Sequence, residues 1–320
     1  KKRMTYSAGN TIIDDDYNIF ATGNAAGTGD DTVANINSVW GTGSTEYGYG
    51  QTTTLAAVSA GNTVQATNWA NLIARNESLA AHQGTSITTI SQPSAGNTIE
   101  AYAALSANVT ATYNGRNNAA AEGSDSTVNS DSTAGWNNSA TLSKTFTFPS
   151  AAQLRYFFNA GGQIRLSWSR SGGTTSDQNT AWTDLLTASG TIVLTGAAAS
   201  KTINSVAYTG LTKIGGSGSV TTLNTTEGAY ALDGTPSLNF KQVPAAPYGS
   251  NEIEVSYSIS GTVITIYTDL SDDYAPPDPA SPDNIDGTLR QVSTIRPPST
   301  GTLTDTWGTV TQNSPSWSQT

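Results

Sequence analysis

The sequence predicts an α+β protein with a helical N-terminal region in the form of a helical hairpin, followed by an antiparallel β-sandwich and an extended proline-rich C-terminal tail. Three observations support this order. Apolar residues recur at gaps of three and four in the first third, they alternate with polar residues beyond residue 140, and prolines concentrate after residue 270. These changes place a helical region at 1–118, a linker at 119–140, the sandwich at 141–270 and the tail at 271–320.

Two stretches of helical period follow copies of a short repeat, SAGNT, which occurs three times at unequal spacing and therefore does not indicate a solenoid. Helices are predicted at about 64–82 and 98–114, each with a single apolar stripe. Asn97 and Glu100 have the spacing of a capping box at the start of the second helix. A weaker, shorter helix is predicted over 32–41.

The helical region is predicted to associate with other copies of the chain. Two facing stripes leave little core for a free-standing unit of this length, because a small unit leaves much of its surface exposed. Residues 1–118 are therefore expected to supply oligomerisation or docking, with 141–270 as a projecting domain. The residues expected at the shared seam are Trp69, Leu72, Leu105 and Val109.

The second half shows strand signals after a polar stretch from 117 to 140 that has no period and reads as a linker or exposed loop. Alternation of apolar and polar residues indicates half-buried strands. Strands are predicted at 142–148, 164–168, 191–195, 205–208, 229–232 and 237–243, with a hairpin formed by 252–259 and 262–267.

A short helix is predicted between the first two of these strands. Ser150 precedes the segment AAQLRYFFN and is a good N-cap, and Gly161 with Gly162 follows its end. We expect a glycine in the left-handed region to turn the chain into the strand that begins near Gln163.

The composition favours a β-rich surface or assembly protein over a typical intracellular enzyme. Hydrophobic residues make up 36% and charged residues only 12% of the 320 residues, and Thr, Ser, Asn and Gly fill the difference. The net charge of −10 disfavours nucleic acid as a partner. No apolar stretch is long enough to predict a membrane span, and the absence of cysteine excludes disulfides and thiolate metal sites.

Catalytic and metal-binding patterns are weak in this sequence, so no catalytic residue, metal site or cofactor is predicted. His82 is the only histidine, and its place at the polar end of a helix favours a surface or C-cap role. Acidic runs at 14–16, 30–31, 272–273 and 278–286 lack the spacing of a calcium loop and are interpreted as solvated turns.

Aromatic residues are numerous for a chain of such low charge, with 7 Trp and 13 Tyr. They favour core and subunit-interface roles over saccharide recognition, although exposed aromatics beside Asn and Asp also suit sugar rings. A receptor-binding module that grips cell-surface polysaccharide through exposed aromatics of the C-terminal half is therefore the alternative function. A polysaccharide-degrading enzyme and a bacterial surface-layer or adhesin fragment are weaker alternatives.

Three segments are distinctive, and they begin with YSAGNTIIDDD at residue 6, YGYGQTTT at residue 47 and RYFFNAGG at residue 155. They resemble virion structural proteins of tailed bacteriophages, especially the T4-like phages of marine cyanobacteria. The resemblance covers the first 118 residues and about 150–195, and its most specific part is the heptapeptide YFFNAGG at 156–162. It does not extend beyond residue 271.

The resemblance implies a non-enzymatic protein of the virion, in a tail, baseplate, fibre or appendage, that is assembled in the host cytoplasm and carried on the extracellular particle. The implied partners are further copies of the chain, with a trimer favoured, other virion proteins and a host surface glycan. Nucleic acid and membrane are not implied, and the family offers no catalytic residues to assign to this chain.

Overall fold

The computed structural model describes residues 14–24, 34–44, 46–93, 102–197, 199–275 and 284–320. It is a mixed structure of helices and antiparallel sheets, so the predicted α+β class is confirmed.

Four helices of the described N-terminal part pack against one another. Their bounds are α1 Asp14–Thr22, α2 Ile36–Trp40, α3 Ala66–Gln83 and α4 Tyr102–Asn114. Trp69 of α3 is central to this layer, because its ring meets those of Tyr17 at 5.6 Å and Phe20 at 6.3 Å between centroids. The three helices predicted from periodicity are therefore present, and α1 is an addition.

A five-stranded antiparallel sheet has the order β1-β12-β3-β4-β7. Its strands are β1 Thr127–Thr133, β3 Gln163–Ser171, β4 Thr191–Leu194, β7 Leu211–Ile214 and β12 Thr288–Arg296. Strand β12, between β1 and β3, pairs along its whole length with β3, from Thr288 opposite Ser171 to Arg296 opposite Gln163. Strands distant in sequence are thus neighbours in this sheet.

A seven-stranded antiparallel sheet has the order β13-β2-β11-β10-β9-β8, with β14 also paired to β2. Its strands are β2 Ser139–Thr147, β8 Thr222–Leu223, β9 Ser237–Gln242, β10 Glu252–Ser260, β11 Val263–Ser271, β13 Thr311–Gln312 and β14 Ser318–Gln319. The predicted hairpin is formed by β10 and β11, whose turn contains Gly261 at φ +60°.

Smaller elements complete the described fold. The helices are α5 Ala151–Asn159 and α6 Asp177–Ser189, and a two-stranded sheet is made by β5 Lys201–Ile203 and β6 Val206–Tyr208. Ser150 caps α5 as predicted, since its Oγ accepts a hydrogen bond from the Gln153 N–H at 3.2 Å.

The two larger sheets contact each other through side chains. The Trp168 ring of β3 stacks on the Phe240 ring of β9 with 6.3 Å between centroids. Thr268 Oγ1 of β11 donates to Gln291 Oε1 of β12 at 2.7 Å, and Trp168 Nε1 donates to the same oxygen. Apolar packing and buried polar pairs therefore both connect the sheets.

One hydrophobic cluster joins the helical layer to both sheets, and this corrects the predicted seam between copies. The four seam residues lie in this core with at most 2% of their surface exposed: Trp69, Leu72, Leu105 and Val109. They have no free surface for a sister chain. The apolar stripes of α3 and α4 do not form a core by themselves, and residues of α1, α2 and the rest of the chain complete that core.

Two predicted boundaries are also corrected. Residues 127–133 of the predicted linker form β1, and residues 288–296 of the predicted tail form β12, an inner strand of the five-stranded sheet. The predicted strand at 229–232 is wrong, because these residues form a turn in which Ala229 and Tyr230 hydrogen-bond to Thr195 and Gly196.

Some sequence predictions lie outside the described residues. These are the first and third copies of the repeat, the capping box of Asn97 with Glu100, and the prolines between 276 and 282. Among the helices that the structure describes, none has the length and apolar character needed to cross a membrane.

Candidate binding groove

Helix α6 forms one wall of a groove on the protein surface, and its sequence determines which side chains face outward. Ser176 caps the helix by accepting from the Asn179 N–H, and Trp182 and Leu185 are buried beneath it. Asp177 and Asp184 are exposed on the groove side, two turns or about 10 Å apart along the axis.

The opposite wall comes from two loops, residues 217–219 and 242–248. The second loop is mostly apolar, with the sequence QVPAAPY. Gln242 is 2% exposed, and its Nε2 donates to the Ser217 carbonyl at 3.1 Å. Its Oε1 is a buried acceptor with no hydrogen-bond partner among the described residues.

Tyr248 lies at one end of the groove and is partly exposed. Its ring packs against that of Tyr274 with 4.6 Å between centroids. Burial, and then the nearby carboxylate of Asp177, the Tyr274 phenol and Asp272, raise the pKa of Tyr248, so the phenol stays protonated as a donor at neutral pH.

The groove has a volume of about 710 Å³, which is within the range of small-ligand sites. Its charged lining residues are Asp177 and Asp184, and the described lining contains no Lys, Arg or His. The hydroxyl oxygens of Thr180 and Thr187 add acceptors, since their protons are donated to the carbonyls of Ser176 and Thr183, and Ser219 adds one more hydroxyl group. The groove can therefore bind a neutral polar or a positively charged group, but disfavours an anion.

A second notable feature is the strap, which we define as residues 311–319. It pairs with β2 at both ends through β13 and β14. It also reaches β1, because Trp317 Nε1 donates to the Asp131 carbonyl at 3.1 Å and Gln312 Nε2 to the Thr127 carbonyl at 3.4 Å. The strap therefore covers the β2 edge of the seven-stranded sheet by backbone pairing and contacts the β1 edge of the five-stranded sheet through side-chain hydrogen bonds.

The strap covers a buried ion pair. Lys144 of β2 is fully buried, and its Nζ lies 2.8 Å from Asp131 Oδ2 of β1. The same Nζ donates to the carbonyl of Asn313 in the strap at 2.5 Å. One lysine thus connects both sheets and the strap.

His82 is buried and not on the surface as predicted. Its Nε2 lies 3.2 Å from the Ala160 carbonyl, so that nitrogen carries the proton and donates. The ring packs edge-on against Tyr49 with 4.8 Å between centroids. Burial, with the nearby Lys201 cation, lowers the pKa of His82 to about 4. The side chain is therefore a neutral core group that joins α3 to the end of α5.

Lys201 is a buried cation at the C-terminal end of α5. Its Nζ donates to the carbonyls of Phe158 and Asn159, each at 2.6 Å, which satisfies two carbonyls that a helix end leaves free. Burial lowers the pKa of Lys201 to about 7. Tyr230 contacts the same helix end by donating to Asn159 Oδ1 at 2.8 Å.

Gly161 and Gly162 have different structural roles. Gly161 has φ +102°, which confirms the predicted left-handed turn after α5. Gly162 lacks this conformation, but a Cβ there would lie 2.5 Å from the Phe157 ring. The YFFNAGG segment is thus an intramolecular junction, where Asn159 also donates to the Gly48 carbonyl.

The remaining candidates for chemistry do not converge on a catalytic or metal site. In the described ranges no group of three or more His, Asp or Glu side chains could hold a metal ion. Asp286 accepts from the Thr174 backbone N–H and from Arg170, and these contacts lower the pKa of Asp286. Residues 30–31 and 278–283 of the acidic runs lie outside the described ranges.

Most tryptophans are part of the core, which corrects the idea that they form a sugar-binding surface. Six are at most 7% exposed: Trp40, Trp69, Trp136, Trp168, Trp182 and Trp307. The seventh, Trp317, is partly buried and belongs to the strap.

Tyr248 and the α6 wall of the groove were not predicted from the sequence, although Ser176 and the apolar spacing of Trp182, Leu185 and Leu186 indicate a capped helix.

Comparisons with protein families, curated proteins and solved structures find no match to this chain.

Proposed function

We propose that this protein is a non-enzymatic structural component of a tailed-phage virion, in a tail, baseplate, fibre or appendage, and that it works as a homo-oligomer. The covering of one edge of each large sheet by the strap is the observation that carries the proposal. The unpaired backbone groups of an open sheet edge can pair with a strand of any other chain. A covered edge cannot, so the contacts of the protein are restricted to its other surfaces. The resemblance of YFFNAGG and its flanking segments to virion proteins supports the same role.

The proposed self-association surface is the outer face of the seven-stranded sheet. Leu238 and Tyr267, each 38% exposed, lie in one row across this face, with Ser256 of β10 between them. Neither is beside a charged residue within that row, which continues to Ser143 of β2. The next row on the same face carries Lys241, Glu254 and Asp269, so the proposed contact has an exposed Tyr and Leu beside charged residues, and Tyr is enriched in subunit contacts.

The purified full-length chain tests this proposal by light scattering. We expect an oligomer, with a trimer favoured, and Tyr267→Glu should reduce its mass because a desolvated carboxylate opposes the contact. Val206→Glu is the matched control, since Val206 is 43% exposed on β6, away from this face. A folded wild-type chain that stays monomeric at all concentrations would contradict self-association.

A further inference from the structure

We propose that the groove between α6 and the loops 217–219 and 242–248 is a binding site for a neutral oligosaccharide. The proposal goes beyond the structural role and does not depend on it, because binding is measured on the isolated chain. The sequence-based alternative relies on exposed aromatics of the C-terminal half, whereas this groove has one aromatic lining residue, Tyr248, and uses carboxylates and an apolar loop besides it.

The acceptors of the site suit vicinal sugar hydroxyls. The carboxylates of Asp177 and Asp184 project from one face of α6, and an ionised carboxylate accepts several hydrogen bonds. Bonds to a charged acceptor are stronger than bonds between neutral groups. Two such acceptors about 10 Å apart along the helix can contact successive sugar units.

The opposite wall suits the apolar faces of sugar rings. Pro244, Ala245 and Pro247 supply aliphatic surface, and Tyr248 supplies an aromatic ring at the end of the groove. Tyr248 is supported from behind by Tyr274. The ring is therefore pre-positioned, which lowers the entropy cost of binding a ligand.

Gln242 is an independent observation that points to a ligand. It lies in the groove wall at 2% exposure, and its Oε1 has no donor among the described residues. A buried acceptor without a donor is costly, and because this oxygen has less than 1 Å² of exposed surface, a ligand hydroxyl would reach it only after side chains of the groove wall shift. Its Nε2 donates one of its two protons to the Ser217 carbonyl, and Oε1 is the acceptor left without a donor among the described residues.

Charge selects among saccharides. The charged groups that line the groove are carboxylates, so sulfated, phosphorylated or acidic sugars are repelled at neutral pH. Lys213 is not a lining residue, and its Nζ donates to the backbone carbonyl of the lining residue Ser217 at 3.3 Å. The ligand class is therefore an uncharged oligosaccharide.

The test is titration of the full-length chain with labelled neutral oligosaccharides built from glucose, mannose, galactose or N-acetylglucosamine. We expect saturable binding to at least one of them, weakened about tenfold by Tyr248→Ala and by Asp184→Asn. Asp184→Asn keeps the shape of an exposed side chain, so it separates lost binding from lost folding. Asp233→Asn, an exposed turn residue outside the groove, is the control and should bind as the wild type does.

Three outcomes overturn the proposal. The first is no binding to any of these sugars, and the second is binding that both groove variants leave unchanged. The third is binding of a lysine-rich peptide that Asp184→Asn abolishes while the sugars do not bind, which would make the groove a site for basic segments.

Discussion

At the residue scale, His82 shows how tertiary packing changes the chemistry expected from a local sequence. The residue lies in the last turn of α3, where a surface or C-cap role is the normal expectation. Two segments cover the end of that helix: the Ala120 N–H, after α4, donates to the His82 carbonyl, and the His82 ring donates to the Ala160 carbonyl at the junction after α5. Sequence periodicity finds the helix but not the segment that covers its end.

The pKa of His82 gives a direct prediction. In the folded protein the single imidazole should titrate near pH 4, and in the urea-unfolded chain near 6.5. Its contribution to the free energy of unfolding is therefore complete above pH 6.5 and is lost as the pH falls toward 4. NMR of the one histidine ring measures both midpoints. A folded-state midpoint close to 6.5 would place the ring in solvent and contradict the buried site.

Gly161 and Gly162 should both resist substitution, for different reasons. Gly161→Ala places a side chain at φ +102° and near Ala119, and Gly162→Ala forces a methyl group against the Phe157 ring. Each should cost more than about 1 kcal/mol in thermal or urea unfolding. Gly234→Ala is the control, because no atom lies within 4 Å of its added Cβ and its φ is not in the left-handed region. Equal stability of all three variants would refute this account.

At the element scale, the strap depends on the buried pair of Lys144 with Asp131. Asp131→Ala leaves a fully buried ammonium without its carboxylate, which should cost about 3–5 kcal/mol. Asp125→Ala removes a more exposed partner of Arg296 and should cost about 1 kcal/mol or less. Urea unfolding measures both. Adding Lys144→Met to Asp131→Ala should recover much of the loss, because an apolar side chain needs no counter-charge.

If Asp131→Ala were no more destabilising than Asp125→Ala, the pair would not hold the two sheets and the strap together.

Elements with apolar alternation were predictable, and elements with polar interiors were not. Strands β10 and β11 follow the expected pattern because Ile253, Val255 and Ile266 face the core. Strand β1 does not, since its buried residue is Asp131 and its valine, Val128, is 57% exposed. Strand β12 has a related problem, because Gln291 and Ser293 are buried beside Leu289 and Ile295 and are satisfied by hydrogen bonds.

At the scale of the whole molecule, the helices and sheets share one core, so the chain should not divide at residue 118. The fragment 141–270 lacks β1, β12 and the strap, which contribute one edge, an inner strand of a sheet and a covering segment. The fragment 1–118 lacks the junction that covers His82.

We therefore expect neither fragment to fold alone. Circular dichroism and calorimetry of 1–118 and 141–270, with the full chain as control, should show a cooperative transition only for the full chain. A cooperative melt of either fragment would restore the two-domain organisation that the sequence suggested.

The candidate groove was less predictable than the fold, because its walls are separated by about sixty residues of sequence. Its α6 wall carries a readable helix signal, with Ser176 as cap and the spaced apolar residues Trp182 and Leu185. The loop at 242–248 carries only a turn signal, and no periodicity indicates that it faces α6. Such sites depend on long-range packing, which a single sequence does not specify.

The composition of purified particles tests the proposed function most directly. Phage particles that carry this chain would be isolated by density gradient and washed in high salt, and its peptides counted by mass spectrometry against labelled standards. We expect a fixed number of copies of the chain per particle, unchanged by the high-salt wash. Abundant chain in the infected-cell lysate with none in the washed particles would contradict it.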